Sequence, residues 1–276
     1  MPPESVISRR AWCLLAGAAA GGAPVRSTQA QPTALRVGGT GAALVGMRLL
    51  APLLERDGIT VQIVSHLGTA GGIRAVSGRA VDVALASRPP LPAEQPQMLR
   101  EYRYARTRLV FATHAATSAD SLSHDQAVAM LSGQWTHWPG GERVRASRRP
   151  DQDSDTMTLS LLSPAMAEAV TVLQHRLGVV TAASDHDQAE ALERLPGTIG
   201  VLAESLILGE RRALKILVLR DPPEDAARWP MLKNLHVVTR VDARPAVDRF
   251  LDRLGSAEAA DILSANGHVM QQAAPR

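Results

Sequence analysis

The apolar, β-branched run at 61–64 leads directly into Ser65-His66-Leu67-Gly68-Thr69-Ala70-Gly71-Gly72, and the apolar spacing that begins at Ile73 is helical. That order dictates a strand, a tight turn and a helix N-terminus. A helix entered in this way leaves its first backbone N–H groups without intrahelical partners and points them, with the positive end of its dipole, past the end of the strand. A small anion is the natural occupant of such a place. The glycines let the backbone approach a ligand closely, and Thr69 adds a hydroxyl that donates or accepts. Alone, the segment also reads as a plain strand-to-helix turn with Thr69 as its N-cap. The arrangement, however, occurs three times. Gly38-Gly39-Thr40-Gly41 follows a strand at 34–37, and Pro150-Asp151-Gln152-Asp153-Ser154-Asp155-Thr156 follows one at 144–149, with Ser154 or Asp153 as the expected cap.

Between and after these turns, strands alternate with helices, which is the pattern of an α/β sheet. The first helix is expected over 42–54 from the spacing of Leu44, Met47, Leu50 and Leu54, with Pro52 kinking or ending it early. Further strands are expected at 80–86, 106–113, 179–180, 199–201, 214–219 and 235–239. The matching helices are expected at 73–78, from 124, and at 157–162, 165–177, 186–194, 244–254 and 257–265. Asn266-Gly267 is a helix stop. The first turn lacks the G-x-G-x-x-G spacing of a dinucleotide site, and no acidic residue ends the next strand.

With 276 residues, 45% hydrophobic and only 3% aromatic, the chain is long enough for one large domain or two lobes, and its core must be aliphatic. The N-terminus reads as an export signal: Ser8-Arg9-Arg10-Ala11-Trp12, a short Ala/Gly-rich apolar core at 13–20, and Thr28-Gln29-Ala30 as a small-x-small cleavage site. The paired arginines lean toward twin-arginine export. Residues 1–30 carry three arginines and one glutamate, so of the formal charge of +3 the mature chain keeps about +1, which implies no nucleic-acid partner. The single cysteine, Cys13, leaves with the signal, excluding disulfides, thiolate metal sites and cysteine catalysis.

A family resemblance rests on motifs in a fixed order. Gly39-Thr40-Gly41-Ala42-Ala43 follows the first strand, Gly68-Thr69-Ala70-Gly71-Gly72-Ile73 the second, and Val81-Asp82-Val83-Ala84-Leu85-Ala86-Ser87-Arg88-Pro89 closes the third. Leu122-Ser123-His124-Asp125 through Gly133-Gln134-Trp135-Thr136-His137-Trp138 comes next, then Arg149 ahead of Ser154-Asp155-Thr156, Pro196-Gly197-Thr198-Ile199-Gly200-Val201 and Asn266-Gly267-His268-Val269. Together they resemble the phosphate-binding components of ABC importers, over nearly all of the mature chain, as a divergent member.

The resemblance implies a two-lobed periplasmic binding protein of type II, with two α/β lobes joined by two crossover strands. Lobe one would be 31–113 with the return segment 235–276, and lobe two 114–234. It further implies a monomer in the periplasm that captures a small oxyanion, phosphate first, for an inner-membrane permease. An exported sensing domain for sulfate, molybdate, tungstate or a carboxylate is the alternative, reporting to a membrane signalling partner. No cofactor is implied.

Carried over by resemblance, the anion donors fall on Ala43 and Leu44, on Thr69 with Ala70, and on Ser87, Arg149, Ser154 and Thr156, with backbone N–H groups near Ala43 and Gly71 expected to complete the shell. Thr40 stands in for a hydroxyl that the family has where this chain has Ala43. Ser87 replaces the acidic residue that accepts the ligand's proton in phosphate-specific members, and Arg88 beside it is either a ligand contact or a rim salt-bridge partner. Asp155 replaces a glycine, so that Asp151, Asp153 and Asp155 surround a turn meant for an anion; they either face it or cap the helix. Catalysis is not expected: no Gly-x-Ser-x-Gly elbow occurs, and no histidine has helical metal-ligand spacing.

Overall fold

The computed structural model describes residues 33–94, 96–222 and 230–271. The expected export signal at 1–30, with cleavage near Ala30, lies outside the described residues. The alternation read from the sequence is present throughout. The first part runs β1 (Thr33–Gly39), α1 (Gly41–Arg56), β2 (Ile59–Val64), α2 (Gly68–Ser77), β3 (Val83–Ala86) and β4 (Leu99–His114). The middle runs β5 (Ser121–Leu122), α3 (His124–Ser132), β6 (Arg145–Arg148), α4 (Ser154–Ser160), α5 (Pro164–His175), β7 (Val180–Thr181), α6 (Asp185–Arg194), β8 (Thr198–Ala203), α7 (Glu204–Gly209) and β9 (Leu214–Leu219). The chain closes with β10 (Leu232–Arg240), α8 (Pro245–Leu254), α9 (Ala257–Ser264) and β11 (His268–Met270).

Strand β4 is the spine. Its residues 99–108 pair antiparallel with β10, while from Leu109 onward it pairs with β8 and then β9. On one side of that change-over lie β10, β3, β1 and β2, and on the other β8, β6 and β7. Strand pairing therefore changes at Arg108/Leu109 on β4 and at the start of β10, a few residues ahead of the breaks expected at 113 and 234. The strands β1, β2 and β3 are mutually parallel, as are β6, β7 and β8, so the C-terminal ends of each group lie along one edge. Ligands bind at such edges.

The two larger aliphatic clusters hold one phenylalanine each, and the first reaches across the change-over to Ala189, Leu192, Leu202 and Leu206. Phe250 packs with Leu44, Met47, Leu50, Val37 and Leu235 in the first, and Phe111 with Met130, Met166, Leu173 and Ile199 in the second. Helix α1 continues past Pro52 to Arg56, because Leu53 and Leu54 beyond the proline are fully buried and hold the last turn in place. The short helix α7 has no side-chain cap and is too brief to show a period, which is why the sequence does not display it. Among the described residues no helix is long and apolar enough to cross a membrane.

Helix α2 lies directly against β1. A Cβ at Gly72 would come within 2.9 Å of the Gly39 Cα and 3.2 Å of the Gly38 carbonyl oxygen, so the contact exists only because position 72 has no side chain. Gly72→Ala is accordingly expected to lower stability by about 1–3 kcal/mol through overpacking, read as a shift of the urea unfolding midpoint.

Candidate functional site

The C-terminal ends of β1, β2, β3 and β6 open on a cavity of about 450 Å³, which the N-terminal turns of α1, α2, α4 and α6 also line. Of the residues expected to bind a ligand, it is lined by Thr40, Thr69, Ala70, Gly71, Ser87, Arg88, Arg149 and Ser154, and not by Ala43, Leu44, Asp155 or Thr156.

At α1 the expected anion place is filled from within the protein. Thr40 is the N-cap, but its hydroxyl does not cap the helix and instead donates to Asp185 Oδ2 at 2.7 Å, and the Ala42 N–H reaches the same oxygen at 3.2 Å. The Ala43 and Leu44 N–H groups are spent on the Thr40 carbonyl, so neither is free for a ligand. Gly41 permits this approach, since a Cβ there would lie 2.9 Å from the Asp185 Cβ and 2.8 Å from His186 Nδ1. An internal carboxylate thus takes the place at which an external anion was expected.

Asp185 is one end of a buried chain of charges. Lys233 Nζ lies 2.9 Å from Asp185 Oδ1 and 2.7 Å from Asp155 Oδ1, with all three side chains almost wholly inaccessible. Asp155 thus neither lines the cavity nor caps α4, although its Oδ1 also lies 3.4 Å from the Ser154 hydroxyl. It accepts a proton-bearing partner from β10, while the cap of α4 is Asp153, whose carboxylate accepts the Asp155 N–H at 2.9 Å. Arg149 completes the cluster: it is 95% buried, holds Asp153 at 2.7 Å and donates to the Ala182 carbonyl at 3.0 Å.

Three carboxylates here face two cations, and the excess negative charge falls on Asp155. Burial pushes its pKa up to about 6 against the pull of Lys233, and the charges of Asp153 and Asp185 add to the rise. Asp185 is held well below the usual carboxylate range; burial opposes this, but Lys233, Arg149 and the Thr40 hydroxyl outweigh it. Lys233 is kept charged by Asp155 and Asp185 in spite of its burial.

Helix α2 is different. Its N-cap is Leu67, no side chain caps it, and no acidic residue stands in its first turn. Thr69 lies inside that turn rather than at the cap. Its Oγ1 is 2.8 Å from the Ser87 hydroxyl and accepts the Ser87 N–H at 3.0 Å, and the Ser154 hydroxyl, from α4, donates to the same Ser87 oxygen at 3.1 Å. Three hydroxyls from three segments therefore meet at one uncapped helix N-terminus on the cavity wall.

The remaining residues divide clearly. Arg88 reaches the cavity, but both its terminal nitrogens hold Glu94, at 2.8 and 3.0 Å, which is the rim salt-bridge reading. Thr156 turns under the floor and donates to the Arg149 carbonyl at 3.3 Å. Asp151 is exposed. Also at the cavity, His66 and His186 stand with ring centroids 6.1 Å apart, and His186 Nε2 is 3.0 Å from Glu210 Oε1.

The sequence reading overlooked Lys233, Asp185, His186 and the apolar cavity residues Met157 and Leu161. A signal for Lys233 existed: it shares one face of β10 with Leu235 and Val237, so at period two it belongs to the buried side. Asp185 gave no such signal, because directly after Ser184 it looks like an ordinary first-turn acid.

A family model described as a PBP superfamily domain matches residues 21–258. The chain belongs to that family. The fold agrees. A structure from Clostridium perfringens, described as a phosphate ABC transporter substrate-binding protein with bound phosphate, aligns with a TM-score of 0.66 at 16% identity, over 87% of this chain and 100% of that one. A phosphate-binding protein from Stenotrophomonas maltophilia gives 0.63 at 15%, over 87% and 91%. The periplasmic molybdate-binding protein of Azotobacter vinelandii gives 0.64 at 18%, over 86% and 100%. No curated protein matches the chain by sequence.

Removing Lys233 leaves two buried carboxylates with too little positive charge. Lys233→Met should cost about 3–5 kcal/mol at pH 7. The carboxylates then have folded-state pKa values above their unfolded ones, so the stability they contribute is present at low pH and is lost as pH rises through the folded value. The deficit should therefore shrink between pH 7 and pH 5, as urea titrations at the two pH values will show. A deficit independent of pH would mean that only packing was lost.

Proposed function

We propose that this protein is an extracytoplasmic solute-binding protein that captures a small oxyanion, with phosphate first among the candidates, and delivers it to an ABC importer. The observation that carries this reading is the uncapped N-terminus of α2, where Thr69, Ser87 and Ser154 converge on the cavity. Free N–H groups at the positive end of a ten-residue helix, with hydroxyls beside them, form an anion-binding surface that needs no resident charge. Arg149 and Lys233 lie behind it, but three carboxylates face these two cations, so the attraction for an anion comes from the helix end and the hydroxyls.

The relatives support the ligand class, since those aligned above bind phosphate or molybdate, both tetrahedral oxyanions. The description of one as an ABC transporter component supports a permease rather than a sensor as the partner. Export to the periplasm, a monomeric state and two lobes that close about the crossover near Arg108 and Leu232 belong to the same proposal, as does capture without turnover.

Calorimetric titration of the full chain with phosphate, sulfate, molybdate, tungstate and small carboxylates tests this. At least one tetrahedral oxyanion should bind at micromolar concentration, about 8 kcal/mol. Each hydrogen bond to a charged ligand is worth about 1.5–3 kcal/mol, so Thr69→Ala and Ser154→Ala should each weaken binding about tenfold or more. Silence toward every oxyanion would sink the assignment.

A further inference from the structure

As it stands here, before any closure of the lobes, the cavity has room for more than a bare oxyanion. A five-atom ion displaces on the order of two or three waters, each with about 30 Å³ of liquid volume, against a cavity of about 450 Å³. The donors, moreover, occupy one end only. Ser154 opens α4 and contributes its hydroxyl to the Thr69–Ser87 cluster, and the residues three and seven positions further on are Met157 and Leu161, which lie along the same side of the helix. Both line the cavity, and both are large apolar side chains left 54% and 50% exposed. Leu67, at the N-cap of α2, and Leu232, at the start of β10, add to the same lining. A stripe that runs from a hydroxyl donor to two uncovered apolar side chains is the wall of a site for a molecule with a charged head and an apolar body.

Resting on the oxyanion reading above, we propose that the ligand is a substituted oxyanion, a phosphoryl or phosphonyl group bearing an organic, largely apolar substituent, rather than the bare ion. The head takes the α2 N–H groups and the hydroxyls of Thr69, Ser87 and Ser154, and the substituent lies along Met157 and Leu161. A monosubstituted head keeps three oxygens for these donors. The internal charges leave most of these donors open: Asp153 and Asp185 are committed to Arg149, Lys233 and Thr40, and the one carboxylate near the cluster is Asp155, whose Oδ1 lies 3.4 Å from the Ser154 hydroxyl.

Calorimetry on the full chain with inorganic phosphate, methylphosphonate, phenylphosphonate and phenyl phosphate decides it. The phenyl compounds should bind at least tenfold more tightly than inorganic phosphate and methylphosphonate, and comparing the two phenyl compounds separates an ester from a phosphonate ligand. Met157→Ser/Leu161→Ser alters two exposed side chains, and its fold is checked by thermal unfolding; the preference for phenyl over methyl should fall about tenfold in that variant. Inorganic phosphate binding as tightly as the phenyl compounds, or an unchanged preference in the variant, overturns the substituted ligand while leaving the oxyanion reading intact. Absence of binding by all four compounds and by the oxyanions tested above overturns both.

Discussion

The ion pairs of Lys233 with Asp155 and Asp185 tie together parts of the chain that sequence keeps far apart. Lys233 comes from the strand that returns to the first sheet group, Asp155 from the first turn of α4, and Asp185 from the first turn of α6, whose carboxylate in turn holds the start of α1 through Thr40 and Ala42. Three helix N-termini and one central strand are fixed about a single ammonium group. Buried charges of this kind seldom add much stability over an apolar core of the same shape, but breaking one member leaves the others unpaired at high cost. The cluster therefore holds the geometry of the cavity more than it strengthens the fold.

That arrangement changes how the helix ends are used. A helix N-terminus attracts any nearby anion, and a carboxylate of the protein competes on equal terms with a solute. Here α1 receives Asp185, α4 receives Asp153 and α6 carries a capping box between Ser184 and Asp187. Only α2 of the four helices at the cavity is left without an acidic or capping side chain. Positive potential at the cavity is thus concentrated at one place, beside hydroxyls that are neutral and need no counter-charge.

The glycines of the second turn could be weighed correctly from the sequence only in part. Gly68 and Gly71 lie in the first turn of α2 at the cavity, as close approach to a ligand requires, but Gly72 faces the other way and serves the packing of α2 on β1. Arg88 and Arg149 likewise read as cations available to a ligand, whereas Glu94, six residues after Arg88, and Asp153, four after Arg149, engage them. Local sequence announces a charge without saying whether a partner has already taken it.

Sequence by itself determined the alternation of strands and helices, the three polar or glycine-rich turns that open helices at strand ends, and the aliphatic core, because periodicity, capping and glycine act over a few neighbouring residues. The resemblance to a binding-protein family, with which their places at strand ends and helix starts agree, marked Thr69, Ser87, Arg149 and Ser154, and all four line one cavity. Only the tertiary structure decided that Asp155 turns inward to Lys233, that Asp185 occupies the place awaiting an anion at α1, and that Met157 and Leu161 stand uncovered beside the donors. The physical reason is range. Backbone conformation is set locally, whereas the pairing of Lys233 with carboxylates 48 and 78 positions away, and of the Thr40 hydroxyl with one 145 positions away, depends on which surfaces the packed sheet brings together.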